Sequence, residues 1–320
     1  MRLKDKIFQM FICGTGSNLD YSLKNNLGGV IFFTEDIKTK PQFIDLVNDI
    51  KSKSKSPLFL SIDQEGGRVE RTTNIHPRYL SPKDAFQGGT TLLTQQTKTI
   101  ADELISYGLN MNFAPCLDVN SNPNNPIIGD RAFSNIPEEV IAGYKIVAPV
   151  YKEKNIIPVV KHFPGHGDAD KDSHKELPII DLSLSDMEKI HIKPFEYAIK
   201  NDADIIMIAH LHCTCFDKEE LPTSLSKNCL DYLYKKLHFN GITISDDMYM
   251  KGLAKYGMNE ACILGIKAGL NMFIYRDSSD ETISVIENLI KEAEKDIELR
   301  ELTDISYNKI LNLKSKYNLA

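Results

Sequence analysis

Residues 156–174 read IIPVVKHFPGHGDADKDSH. An apolar run of strand length gives way to a segment dense in His and Asp, with Gly165 and Gly167 just past the break. That transition recurs along the chain. Apolar runs cover residues 7–13, 29–33, 58–62, 111–119, 156–163, 205–210, 241–244 and 272–275, most carrying β-branched or aromatic residues and bounded by Gly, Pro or Asn. Each is of strand length. Amphipathic stretches at 41–53, 91–107, 137–153, 185–200, 226–237, 259–267 and 279–295 lie between them. Strands alternating with helices call for a parallel sheet, because parallel neighbours need crossover connections. Eight such units in 320 residues predict an α/β fold of the (β/α)8 TIM-barrel type rather than an open doubly wound sheet.

No linker, low-complexity tract or compositional step divides the chain, so residues 1–320 read as a single domain, with a last helix from about 299 packed outside. A barrel makes a further demand: functional side chains should gather where strands end. Asp63 follows the third predicted strand, Asp118 and Arg131 the fourth, and 161–174 the fifth. His210 and His212 follow the sixth, and Asp246 and Asp247 close the seventh.

Composition narrows the function. With 42% hydrophobic and 26% charged residues, general disorder is excluded, and six Cys are too sparse for a disulfide scaffold. A net charge of −6 argues against a protein built to grip nucleic acid or anionic membrane. The first apolar run is short and interrupted by Gln9, unlike a signal peptide, and no run approaches membrane-spanning length. A cytoplasmic protein with mostly buried thiols is expected, without nucleic-acid or membrane partners, as a monomer or weak homo-oligomer.

The segment 161–174 holds three His and three Asp in 14 positions. Asp168, Asp170 and Asp172 imitate the start of an EF-hand loop, but its sixth and twelfth positions are Ser173 and Ile179 where Gly and Glu are required. Zinc meets a different obstacle, since no regular helix runs through Pro164-Gly165 to bring His162 and His166 onto one face. A catalytic loop fits better, with Asp172 placed to orient His174 and raise its pKa as a general acid or base. At Asp246-Asp247, neighbouring strand residues point to opposite sides, so one acid should face the barrel mouth while the other anchors a backbone or cation. Strand parity does not say which. In residues 61–71, SIDQEGGRVER, an acid, a Gly-Gly turn and two Arg come together; an Asp–Arg pair that merely braces the loop is the plain alternative. Cys13-Gly-Thr-Gly-Ser lacks the third glycine of a dinucleotide loop, where Leu19 stands. His210-Leu-His212-Cys-Thr-Cys215 offers the competing chemistry of a metal-dependent barrel hydrolase.

Together DQEGGRVER (63–71), FAPCLDVN (113–120), IIGDRAFS (127–134), KHFPGHGDADKDSHKELP (161–178), IMIAH (206–210) and ITISDDM (242–248) resemble the motifs of family 3 glycoside hydrolases, in that family's order. The likeness is to its single-domain bacterial β-N-acetylglucosaminidases (β-hexosaminidases). It implies Asp246 as nucleophile and His174 with Asp172 as acid/base dyad. It also implies that Asp63, Arg71, Arg131, Lys161 and His162 hold a terminal N-acetylglucosamine. The implied reaction is retaining exo-hydrolysis through a covalent glycosyl-enzyme, on 1,6-anhydro-N-acetylmuramic acid muropeptides in cytoplasmic peptidoglycan recycling, with no metal or organic cofactor. A His in place of the usual second carboxyl suggests an alternative on the same site. An imidazole does not repel an anion, so phosphate could replace water and make the protein a phosphorylase.

Overall fold

The structure, a computed structural model, describes residues 1–169 and 177–319. Among these described residues ten strands occur in chain order: β1 (Phe11–Cys13), β2 (Gly29–Phe32), β3 (Phe59–Ile62), β4 (Met111–Asn112), β5 (Ile157–Phe163), β6 (Ile179–Ile180), β7 (Ile205–Ile208), β8 (His212–Cys213), β9 (Ile242–Asp247) and β10 (Met272–Tyr275). Eight of them, all but β6 and β8, pair in parallel and close into a barrel. Closure is made between β1 and β10, with Phe11 opposite Phe273 and Cys13 opposite Tyr275. The barrel strands are buried almost throughout, as expected of a parallel sheet covered on both faces. β6 and β8 form a separate two-stranded ladder, Ile179 opposite His212 and Ile180 opposite Cys213.

Two of the predicted strands are corrected. Residues 7–13 are not one strand: a helix Leu3–Gln9 takes the first part, and only Phe11–Cys13 joins the barrel. Ile7 and Phe8 are core residues of that helix, and a short buried run has no period that tells helix from strand. In 111–119 the regular ladder stops at Asn112. Pro115 has no N–H to offer, and the Asn112 side chain takes both backbone polar groups of Gln64 at 3.0 and 2.9 Å. A single bridge between Cys116 and Lys161 resumes the pairing.

The helices around the barrel follow the amphipathic stretches. Pro137–Glu153 starts with Pro at its first turn, where a missing N–H costs nothing. Thr39 and Gln42 form a capping box at the start of Lys40–Lys53. The stretch 185–200 is interrupted by a π turn, Met187–Ile192, ahead of Lys193–Lys200. Pro194 lacks the N–H that a regular α-helix would need there, and the wider turn accommodates it. The last helix, Ile297–Lys316, buries Leu299, Ile310 and Leu313, each stabilising the fold by roughly 1.5–3 kcal/mol. Its Lys314 reaches under the barrel, where Nζ donates to Gln9 Oε1 (2.7 Å), Gly28 O (3.0 Å) and Pro57 O (2.6 Å). Among the described residues, no helix is long and apolar enough to cross a membrane.

Candidate active site

The carboxyl ends of the barrel strands surround a cavity of about 550 Å³ lined by Asp63, Arg71, Arg131, Lys161, His162 and Asp246 among others. These residues are up to 183 positions apart in the chain, and barrel closure alone brings them together. His174 and Asp172, the expected acid/base dyad, lie outside the described residues.

The loop after β3 is shaped by its own polar groups. Gly66 and Gly67 adopt φ of 106° and 63°, conformations that favour glycine, and turn the chain sharply. Gln64 then gathers the returning limb: its Oε1 accepts from Arg71 N (2.9 Å) and its Nε2 donates to Thr72 Oγ1 (3.0 Å). Arg71 is thereby returned to the strand end, with its guanidinium 3.4 Å from Asp63 and over the Phe33 ring at 5.6 Å.

A chain of alternating charges runs on from that pair. Lys161 Nζ lies 2.8 Å from Asp63 Oδ1 and 2.5 Å from Glu65 Oε1. Arg131, carried on the turn Gly129–Arg131, grips Glu65 through Nε (3.0 Å) and Nη2 (2.8 Å), a bidentate pair. Arg131 Nη2 also donates to His162 Nε2 at 3.2 Å, and His162 Nδ1 donates to Asp118 Oδ2 at 2.6 Å. Asp118 further accepts the His162 and His166 backbone N–H groups at 3.2 and 2.5 Å. Its role is to orient His162 and the backbone beyond it.

Burial alone would raise these carboxyl groups, but the neighbouring cations outweigh it. Glu65 is held at about 2 by Arg131 and Lys161. Against the same cost of burial, Asp63 is lowered by Lys161 and Arg71, and Asp118 by His162. Burial would lower Lys161, yet Asp63 and Glu65 raise it. His166 goes the other way: burial pulls it down to about 4, against Asp118.

The two adjacent acids of β9 have different surroundings. Burial would raise Asp246, but His162, His210, the Asp247 N–H and Lys161 together lower it. That backbone N–H lies 2.7 Å from Asp246 Oδ1. Asp247 is paired with Arg276 at 2.5 Å and accepts the Tyr249 N–H at 3.1 Å, while burial raises its pKa. Both line the cavity, with Asp247 turned to a cation and a backbone donor.

The backbone on each side of residues 170–176 is anchored to different parts of the rim. Upstream, Asn125 Nδ2 donates to His166 O (2.8 Å), Asn122 N to Gly167 O (3.2 Å) and Ser121 Oγ to Asp168 Oδ1 (3.1 Å). Downstream, His212 N donates to Pro178 O (2.8 Å) and Thr214 N to Ile180 O (3.1 Å).

Among the described residues, the His210–Cys215 segment, the competing metal site offered by the sequence, is not gathered into a metal cluster. His210 Nδ1 is bonded to Ser224 Oγ at 2.7 Å, and His212 Nδ1 faces Leu221 O at 3.2 Å. Among the described residues, the group whose possible ligand atoms lie within 4.8 Å of one another is Cys116, Asp118 and His162. There Asp118 already accepts from both His162 groups and from the Cys116 thiol at 3.1 Å.

Three contributors were not singled out from the sequence as site residues. Glu65 stands two positions after Asp63, so strand parity could have placed both on one side, but nothing local marks it as the shared partner of two cations. Asp118 follows a predicted strand and carries no other mark in the sequence. Arg276, one residue past β10, carries no motif of its own.

Residues 3–313 match the glycosyl hydrolase family 3 N-terminal domain. The chain belongs to that family and is a glycoside hydrolase on a (β/α)8 barrel. It is 33% identical over 270 residues to a β-hexosaminidase of Tolumonas auensis, covering 82% of this chain and 79% of that protein. It is 34% identical over 257 residues to β-hexosaminidase A of Pseudoalteromonas piscicida, covering 72% of this chain but only 42% of that longer relative. Among solved structures, the family 3 β-N-acetylglucosaminidase of Paenibacillus sp. superposes with a TM-score of 0.93 at 28% identity, covering 100% of this chain and 63% of that one.

Proposed function

We propose that the protein is a retaining exo-β-N-acetylglucosaminidase acting on terminal β-linked N-acetylglucosamine. The observation that carries this reading is the position of Asp246, a carboxylate kept ionised at the mouth of a cavity floored by paired donors and acceptors. A sugar ring presents hydroxyls that both give and accept hydrogen bonds. Asp63 offers acceptors and Arg71, Arg131 and Lys161 offer donors on that floor, with His162 beside them, its Nε2 accepting from Arg131. The names of the β-hexosaminidase and β-N-acetylglucosaminidase relatives support the acetamido sugar as substrate.

In this reading Asp246 attacks the anomeric carbon while His174, oriented by Asp172, protonates the departing oxygen. A covalent glycosyl-enzyme forms, and water assisted by His174 releases the sugar. The carboxylate and imidazole supply the bond and proton chemistry, so the mechanism calls on no metal or organic cofactor. A cavity ended by a charge network accommodates a chain end, which fits exo-cleavage. We take 1,6-anhydro-N-acetylmuramic acid muropeptides of cytoplasmic peptidoglycan recycling as the natural substrate class.

The test is hydrolysis of a chromogenic β-N-acetylglucosaminide against the matching β-glucoside, by wild type and Asp246→Ala, with chelator present. Preference for the acetamido sugar, lost in Asp246→Ala and indifferent to chelator, supports the reading. Activity surviving Asp246→Ala, or vanishing with chelator, overturns it. Product analysis with and without phosphate separates hydrolysis from phosphorolysis.

A further inference from the structure

A regular strand would turn Asp246 and Asp247 to opposite sides, yet both line the cavity. The register around β9 accounts for this. Toward β7 it is unbroken, from Ile205 opposite Ile242 to Ile208 opposite Ser245. Toward β10 it slips: Met272 stands opposite Ile244, but Ile274 stands opposite Asp247. Ser245 and Asp246 therefore share the place on β9 that faces the single residue Phe273. One extra residue makes a β-bulge, uncommon between parallel strands, and a bulge bends its strand and re-aims the side chains on it.

The bulge carries its own fastening. Ser245 is wholly buried, and its Oγ accepts the Ile274 N–H at 3.1 Å. Ile274 is buried as well, so no solvent stands ready to replace that acceptor. Beyond the slip, Ile274 O accepts the Met248 N–H at 2.9 Å, and Arg276 holds the Asp247 side chain at 2.5 Å. The irregular stretch is thus tied at both ends, with Asp246 inside it and the hydroxyl tie one residue before it.

We propose that Ser245 is a positioning residue for the reaction: its hydroxyl fixes the bulge against β10 and so sets the direction in which Asp246 points into the cavity. The proposal rests on the reading of Asp246 as nucleophile. Such a carboxylate must stand about 3–3.5 Å from the anomeric carbon and in line with it, and a misplacement of about 1 Å can cost on the order of 100-fold in rate. Without the hydroxyl, the buried Ile274 N–H loses this acceptor and the bulge can shift along β10. Asp63, Arg71, Arg131 and Lys161 belong to other strands and loops. Sugar binding is then spared while the chemical step slows.

Ser245→Ala, Ser245→Thr and Ser245→Val separate positioning from packing, since the threonine variant keeps the hydroxyl and the valine variant has the same shape without it. Each is measured for kcat and KM on a chromogenic β-N-acetylglucosaminide, for inhibition by N-acetylglucosamine, and for melting temperature. In Ser245→Ala and Ser245→Val, kcat should fall ~30- to 100-fold, with KM and the inhibition constant within ~threefold of wild type. Ser245→Thr should recover most of kcat. Should neither hydroxyl-free variant fold, Ser245→Cys, close to serine in size with a weaker acceptor, carries the comparison and should lose ~10-fold in kcat. The proposal is overturned if the folded variants keep wild-type kcat, if KM and the inhibition constant rise in step with the loss, or if Ser245→Thr is no better than Ser245→Val. Absence of turnover in the wild-type protein would end the glycosidase reading and the role of Ser245 with it, whereas wild-type turnover that is insensitive to Ser245 ends that role alone.

Discussion

Arg131 meets Glu65 through two nitrogens at 2.8 and 3.0 Å, and both side chains are almost wholly buried. The carboxylate also serves Lys161, so it neutralises two cations at once. Glu65→Ala leaves both without that partner inside the protein, and breaking a buried pair from one side typically costs about 3–5 kcal/mol. Denaturant unfolding of the variant should show a loss of that size. Glu65→Gln, which keeps the shape and one acceptor, should lose less.

The same group sets an acid limit on stability. Glu65 is held at about 2 in the folded protein against an ordinary value of 4.5, so its contribution is fully present above pH 4.5 and disappears as pH falls toward 2. A lowering of that size corresponds to on the order of 3 kcal/mol. Asp63 and Asp118 are shifted in the same direction and steepen the loss. Unfolding free energies measured at pH 7, 4.5 and 3 should fall across that series, with a shallower slope in Glu65→Gln.

Asp246 and Asp247 should separate by kinetics. Asp246→Asn removes the proposed nucleophile and is expected to lower kcat on the order of 10⁴-fold with little change in melting temperature. Asp247→Asn weakens the hold on Arg276 and should cost about tenfold, mainly in KM. Steady-state kinetics of the two variants on one chromogenic substrate check the contrast, and comparable losses would contradict it.

At the opposite end of the barrel, burial lowers Lys314 to about 7 from an ordinary 10.5. The unfolded chain therefore binds this proton more strongly between pH 7 and 10.5, and the term favours folding increasingly as pH rises through that window. Lys314→Met should remove that part of the pH slope. It should also cost about 2–4 kcal/mol by leaving three acceptors, Gln9, Gly28 and Pro57, without their donor. Thermal melts of both proteins at pH 7 and 9.5 give the comparison.

The barrel was legible because its strands are buried apolar runs that end in polar residues, a contrast visible one segment at a time. Asp63, Arg71, Arg131, Lys161, His162 and Asp246 could each be picked out at or just beyond a strand, although their roles came from the family likeness. Partnership was less legible. Whether Asp63 or Glu65 faces Lys161, and that one lysine serves both, depends on how β3 and β5 sit across the barrel mouth. The sequence order of residues 61–71 carries no trace of that distance. The run 7–13 misled because helix and strand bury Ile7 and Phe8 equally well. Two-residue strands such as β6 and β8 are too short for any period to register.

Arg71, Lys161 and Arg131, which line the cavity, alternate with Asp63 on its wall and with Glu65 and Asp118 behind it, three cations against three carboxylates. Electrically the floor is a string of opposed poles rather than a pole. The opposed poles weaken its far field and leave Asp246, ionised and outside the pairing, as a charge the string does not cancel. An uncharged sugar then arrives by plain diffusion, and kcat/KM on a neutral glycoside should stay flat as ionic strength rises. Recognition begins only at contact, where each hydroxyl meets one local pole.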